Sequence, residues 1–309
     1  MKYALIALLL SATSAAAFPV TVKSCNRDVT FDAAPKAAIS NDVNLTEMML
    51  VLGLRDHMVG YTGISGWKTL DPEMREGVAE LPELSAKYPS KEVLAGADAD
   101  FFFGGWNYGM KVGGEVTPET LEPLGIKTYE LTESCIFVGP KAKSSMDDMY
   151  NDLLNLGLIF GVEDKAKALV EGYKAQLAEA TKGVDHSNPL RVFVYDSGED
   201  TPFTAGKYAM PTALIEAAGG VNIMDDLDKS WATVAWEPVV ERNPQVIVIV
   251  NYGDVTAEQK IAFMKGNPAF ANIDAVKNNR FVVLEYVEAT PGPRNIKAVE
   301  KLVAGFAAQ

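Results

Sequence analysis

Histidine is almost missing from this chain: His57 and His186 are the two among 309 residues, and cysteine is as scarce, with Cys25 and Cys135. That scarcity argues against a zinc or manganese site, because such sites draw on imidazole and thiolate ligands. It also leaves no histidine in a convincing position for an acyl-transfer triad. Both histidines are expected to be structural or solvated, His57 at the head of a strand and His186 in a turn. Enzyme fingerprints are lacking too. Ser197-Gly198 is not a G-x-S-x-G elbow, Ile39 is followed by Ser40-Asn41-Asp42-Val43-Asn44 rather than by G-x-G-x-x-G, and no phosphate loop occurs. The run Asp225, Asp226 and Asp228 reads as a solvated loop rather than as an acid/base pair. No catalytic residue, no bound metal and no cofactor are expected.

Clustered basic charge is absent as well. The 28 Lys and Arg are outnumbered by 41 Asp and Glu, for a net charge of −13, the wrong sign for a nucleic-acid partner. Long apolar runs are missing: no stretch approaches the roughly 20 residues of a membrane helix. The apolar run Ala4 to Leu10 after Lys2, followed by small residues from Ser11 to Ala17, reads instead as a secretory signal over residues 1–17, with the mature chain starting near Phe18. Cys25 follows Val22-Lys23-Ser24, which does not suit a lipid anchor. A soluble, monomeric periplasmic protein is expected. In that oxidising compartment Cys25 and Cys135 either pair or remain buried thiols, and both readings stay open because the sequence does not supply their separation.

Alternation is what the chain does contain. Short β-branched or aromatic runs at Ala37 to Ser40, Met58 to Thr62, Asp100 to Gly104 and Lys127 to Leu131 are separated by helical patterns, which predicts a parallel sheet. Leu45, Met48, Met49 and Leu52 fall at helical spacing and stop at Gly53. The second half repeats the plan, with near-continuous apolar runs at Arg191 to Tyr195, Val246 to Val250 and Phe281 to Leu284, and a helix over Thr212 to Ala218. Between the halves, Ser145 and Asp148 open one helix that should end before Gly157. A second, from Glu163 to Lys182, carries one apolar stripe and is long enough to bridge two lobes. The expected organisation is an N-terminal α/β lobe over residues 18–144, a helical linker over 145–187 and a C-terminal α/β lobe over 188–309.

Thr46-Glu47-Met48 leading to Leu52-Gly53-Leu54, Pro202-Phe203-Thr204-Ala205-Gly206-Lys207 leading to Ala218-Gly219-Gly220-Val221-Asn222-Ile223, then Trp231, Glu237 and Asn243-Pro244-Gln245-Val246, arrive in an order that resembles one family. That family is the periplasmic binding proteins for ferric siderophores, haem and vitamin B12. The resemblance implies two Rossmann-like lobes joined by one long helix, a ligand cleft between them, and delivery to the permease subunits of an ABC importer. It also implies docking on those subunits through one glutamate per lobe, which match Glu92 in Ser90-Lys91-Glu92-Val93-Leu94 and Glu237 in Ala235-Trp236-Glu237-Pro238. An acid in the first turn of a helix is equally explained by the helix dipole.

Ligands of open α/β sheets sit beyond the carboxyl ends of the strands, and the residues there are unusually aromatic. Trp67, Trp106 and Tyr108 in the first half, and Phe203, Trp231, Tyr252 and Tyr286 in the second, are the candidate cleft walls, with Lys207 and Arg294 as candidate polar contacts. Lys207 alternatively caps a turn, and Arg294, in Pro291-Gly292-Pro293-Arg294, alternatively opens a helix. A ferric siderophore is the first expectation for the ligand; haem and a corrinoid are the alternatives.

Overall fold

The computed structural model describes residues 18–68 and 70–307; the expected signal segment lies outside them. Two parallel sheets form, one in each half. In the first, the strands Glu83–Ser85, Met58–Thr62, Ala38–Asn41, Phe101–Trp106 and Lys127–Glu130 lie side by side in that order. In the second the order is Gly220–Asn222, Leu190–Tyr195, Val246–Asn251 and Phe281–Glu285. The central strands Phe101–Trp106 and Val246–Asn251 are buried almost throughout, as strands covered on both faces require. This is the anticipated α/β architecture of two lobes.

Two antiparallel ribbons were not legible as strands. Val20–Ser24 pairs with Arg27–Phe31 at the edge of the first lobe. Phe203–Ala205 pairs with Trp231–Thr233 on the second, with Ala205 opposite Trp231. At three to five residues each, they lack the length that makes an alternation readable.

The linker holds two helices, Met146–Phe160 and Glu163–Ala180, joined at Gly161 in the left-handed region (φ 71°). The expectation that the first ends before Gly157 is corrected: the helix runs straight through it. The glycine serves close packing instead, because a Cβ there would stand 2.4 Å from Cβ of Ala166 on the second helix. The 18 residues of the second helix extend about 27 Å, from a start beside the first lobe to a packing contact with the last helix, Asn295–Ala307. One continuous apolar core runs from Met49 and Phe101 through Leu153, Leu156, Ala166 and Val170 to Val248, Val299 and Leu302. The lobes therefore share buried surface through the linker rather than hanging from it.

His57 is structural: its Nδ1 lies 2.7 Å from the Pro35 carbonyl, and its ring stands edge-on to Phe160 at 5.3 Å. Cys25 and Cys135 form a disulfide across 5.0 Å between Cα atoms, closing a separation of 110 residues. It ties the edge ribbon to the segment following strand Lys127–Glu130.

Candidate ligand cleft

The carboxyl end of each central strand delivers one wall. On the first lobe, strand Phe101–Trp106 ends in Trp106, and Asn107 takes a left-handed conformation (φ 65°) that turns the chain back, so that Tyr108 also faces inward. Trp67 comes from the loop after Met58–Thr62 and meets Tyr88 edge-on at 5.3 Å. On the second lobe, the ribbon register stacks Phe203 on Trp231 at 5.7 Å. Tyr252 follows Val246–Asn251, Tyr286 follows Phe281–Glu285, and their rings meet at 5.2 Å.

These seven residues, Trp67, Trp106, Tyr108, Phe203, Trp231, Tyr252 and Tyr286, line one cavity of about 430 Å³, together with Lys68, Tyr88, Asn107, Phe137, Asp196 and Ser230 among others. A second cavity of about 670 Å³ adjoins it and shares Trp67, Lys68, Tyr252 and Tyr286 as a partition. Its remaining walls combine the polar Asp71, Asn251, Asp254, Glu258, Glu285 and Arg294 with the apolar Val43, Leu70, Met74 and Val287. The cleft thus has an aromatic inner chamber and an acidic outer one. Phe137, a 40% exposed ring on the inner chamber, had no signal in the sequence beyond being an aromatic residue after a strand.

The two basic candidates stand elsewhere or are engaged. Lys207 lines neither chamber; it is exposed and pairs with Asp228 at 3.3 Å, which fits the turn-capping alternative. Arg294 lines the outer chamber, but its Nε donates to Glu47 Oε1 at 2.6 Å and its Nη1 pairs with Asp71. Burial opposes that charge, yet the bonds from Asp71 and Glu47 outweigh it and hold the guanidinium above its usual range. Arg294 is a bridge between lobes: Glu47 sits on helix Val43–Val51, after strand Ala38–Asn41 of the first lobe, and Arg294 precedes the last helix of the chain.

Polar residues that sequence reasoning missed form the partition and the floor. Asp42 caps helix Val43–Val51 from a left-handed conformation (φ 71°), a strain that non-glycine residues accept chiefly at functional sites. Lys68 Nζ lies 2.5 Å from Asp42 Oδ2, and the Tyr286 hydroxyl donates to the same oxygen at 2.8 Å. The ammonium also stands 4.2 Å from the Tyr286 ring centre. Burial pulls the Lys68 pKa down while Asp42 pushes it back up. Asp196 accepts from Tyr252 and from Ser197, each at 2.8 Å, and burial raises its pKa. Glu133, fully buried, accepts from the Met210 backbone N–H at 3.0 Å, from Ser230 at 3.1 Å and from Tyr108 at 3.4 Å; burial pushes its pKa to about 7.

Glu92 and Glu237 are both exposed, each in the first turn of a short helix, Lys91–Gly96 and Trp236–Arg242. Amide and Ser90 hydroxyl donors at that helix start hold the Glu92 carboxyl below its ordinary range.

Two parallel-sheet lobes enclosing a ring-lined cleft have the form of a ligand-binding protein. The comparison with known proteins agrees. The chain belongs to the periplasmic binding protein family, whose model matches residues 39–287. It is similar to a cobalamin-binding protein of Halobacterium salinarum, 26% identical over 96% of this chain and 76% of the relative. Among solved structures it resembles a periplasmic binding protein from Veillonella parvula (TM-score 0.83, 28% identity, 95% of this chain and 99% of that one). It also resembles an ABC-type Fe3+-hydroxamate transport system protein from Saccharomonospora viridis (TM-score 0.80, 25% identity, 94% and 99%). These relatives are binding and transport proteins, not enzymes.

Proposed function

We propose that this protein is the periplasmic substrate-binding component of an ABC importer, and that its ligand is a bulky metal chelate: a ferric siderophore first, with haem or a corrinoid as the alternatives. One observation carries the reading: aromatic side chains from both lobes converge on a single cavity, Trp67, Trp106 and Tyr108 from one side and Phe203, Trp231, Tyr252 and Tyr286 from the other. Aromatic faces grip large, flat or greasy frames at low entropic cost. Adjoining chambers of about 430 and 670 Å³ suit a metal held inside an organic frame better than a bare ion. The printed names of the relatives, cobalamin-binding and Fe3+-hydroxamate transport, belong to ligands of that kind.

Export through the segment 1–17 would place the chain where such chelates arrive. Exposed Glu92 and Glu237, one per lobe, are the proposed contacts with basic pockets on the permease. The test has two parts. Native mass spectrometry and the visible spectrum of protein drawn from its own periplasm should reveal a coloured chelate, and one of ferrioxamine B, haemin or cyanocobalamin should quench tryptophan fluorescence at micromolar or lower concentration. Reversing both Glu92 and Glu237 to Lys should abolish uptake of that chelate by cells while leaving its affinity intact. Absence of quenching across the panel defeats the chelate reading; equal loss of uptake and affinity defeats the docking one.

A further inference from the structure

The hydrogen-bond donors around the inner chamber are already in use. The indoles of Trp67 and Trp106 donate to the Gly63 carbonyl at 2.8 Å and to Glu130 at 2.9 Å. The hydroxyls of Tyr252 and Tyr286 donate to Asp196 and Asp42, each at 2.8 Å, Tyr108 donates to Glu133 at 3.4 Å, and Tyr88 donates to the Asn107 carbonyl. A phenol has one proton. With that proton held by a carboxylate or carbonyl behind it, each tyrosine oxygen has only lone pairs to offer a ligand. Among the described residues, the lining side chains left with uncommitted N–H donors are the neutral Trp231 indole and Asn107 amide, and the Lys68 ammonium, whose charge Asp42 already balances.

The cations of the cleft are equally committed. Lys68 is held by Asp42, Arg294 by Glu47 and Asp71 although its buried Nη2 has no partner, and Lys260, behind the Tyr252 ring, by the Val250 carbonyl at 2.6 Å; exposed Lys87, 6.0 Å from the Trp67 ring centre, lines neither chamber. The acids are not all matched: Asp254, Glu258 and Glu285 line the outer chamber and take part in no ion pair among the described residues. The chain as a whole adds a net charge of −13.

We infer that this cleft selects neutral or cationic chelates that bring their own hydrogen-bond donors, and rejects polyanionic ones. The inference rests on the chelate-receptor reading and narrows it to a ligand class. A polyanion entering the cleft surrenders its hydration to walls that have no free cation to replace it, and it passes an acidic rim on the way. A cation or an amide-rich frame meets ring faces and phenol lone pairs instead. Ligation of the chelated metal by a tyrosinate is disfavoured by the same arrangement, since burial and the neighbouring carboxylates raise the pKa values of Tyr108, Tyr252 and Tyr286.

The test is a titration of the full mature chain, by calorimetry and tryptophan fluorescence, against chelates of different charge: cationic ferrioxamine B, neutral cyanocobalamin, haemin with its two carboxylates, and a trianionic ferric tris-catecholate. The cationic or the neutral probe should bind at least about 100-fold more tightly than the trianion. Converting the exposed rim residues in Asp254→Lys/Glu258→Lys should narrow that ratio by about tenfold, through the lost repulsion alone; both sites are on the surface, so the fold is not at risk. A trianion that binds as tightly as the cationic probe overturns the selectivity and leaves the receptor reading standing. An unchanged ratio in the rim variant overturns its electrostatic basis. Failure of every probe overturns the receptor reading, and this inference with it.

Discussion

Two glutamates of the first lobe, Glu47 and Glu133, cross to the second lobe beside the two chambers, and they are satisfied in opposite ways. Both are buried, and burial raises the pKa of each. Glu47 meets a full positive charge, the Arg294 guanidinium at 2.6 Å, which pulls its pKa back down in part. Glu133 has only neutral hydrogen-bond donors in contact: an amide N–H at the start of helix Met210–Ala217 and the hydroxyls of Ser230 and Tyr108. Without touching it, Lys141 adds a Coulombic attraction smaller than that of the Met210 amide but larger than that of Ser230, set against repulsion from Asp148. A cation compensates a buried carboxylate at any physiological pH. Dipoles compensate it only in part, so the proton becomes a competitor.

The largest expected effect breaks the first bridge. Arg294→Ala leaves Glu47 buried beside Asp71 without a cation, and one oxygen of Glu47 already lacks a partner. Removal of one member of such a pair costs about 3–5 kcal/mol when fully buried; with Arg294 17% and Asp71 38% exposed, about 3 kcal/mol is the expectation. Urea denaturation of wild type, Arg294→Ala and Arg294→Lys measures it, with Lys recovering part of the loss. A midpoint unmoved by Arg294→Ala would mean that the ion pair does not latch the lobes.

This bridge also marks how far the sequence could be read. The strands were legible because their apolar runs need no partner to be recognised: Met58–Thr62 emerged with the bounds expected, and Phe101–Trp106 and Val246–Asn251 within a residue or two. The aromatic candidates could be grouped because each was sought beyond the ends of such strands, and the structure brings the seven around one cavity. Arg294 was singled out, but its role was not, since Glu47 lies 247 positions away and nothing in a sequence reports that closure. Lys68, Asp42, Asp196 and Glu133 were invisible for the same reason. A lone lysine or carboxylate in a loop has no periodicity, and its meaning is created by what packs over it. Gly157 misled because glycine stops helices and also admits close neighbours, and the two uses look identical until the second helix is in place.

The second bridge should reveal itself through pH. The Glu133 pKa stands at about 7 against an ordinary value of 4.5, so the folded state holds a proton that the unfolded chain releases. Its contribution to stability is therefore complete below about pH 4.5 and declines as pH rises through about 7, by up to about 3 kcal/mol. Asp152, likewise buried and raised to about 7 by burial, contributes a decline of the same sign. Glu133→Gln, which keeps an acceptor for Met210, should flatten roughly half of the fall in stability over that window, read from denaturant midpoints between pH 5 and 8. Parallel curves for variant and wild type would show that Glu133 holds the same proton folded and unfolded.

The smallest effect sharpens the contrast between the bridges most directly. Ser230→Ala deletes one of the three donors that stand in for a cation at Glu133. While Glu133 is protonated the lost bond is an ordinary one, costing about 1 kcal/mol; once Glu133 is ionised the same bond is charge-assisted, costing about 2 kcal/mol. The penalty should therefore grow between pH 6 and pH 8.5, whereas the penalty of Arg294→Lys, which keeps a cation beside Glu47 and Asp71, should stay level across that range. A Ser230→Ala penalty that is the same at both pH values would place the titration of Glu133 outside the interval, and the two carboxylates would then differ in partner chemistry without differing in response to the proton.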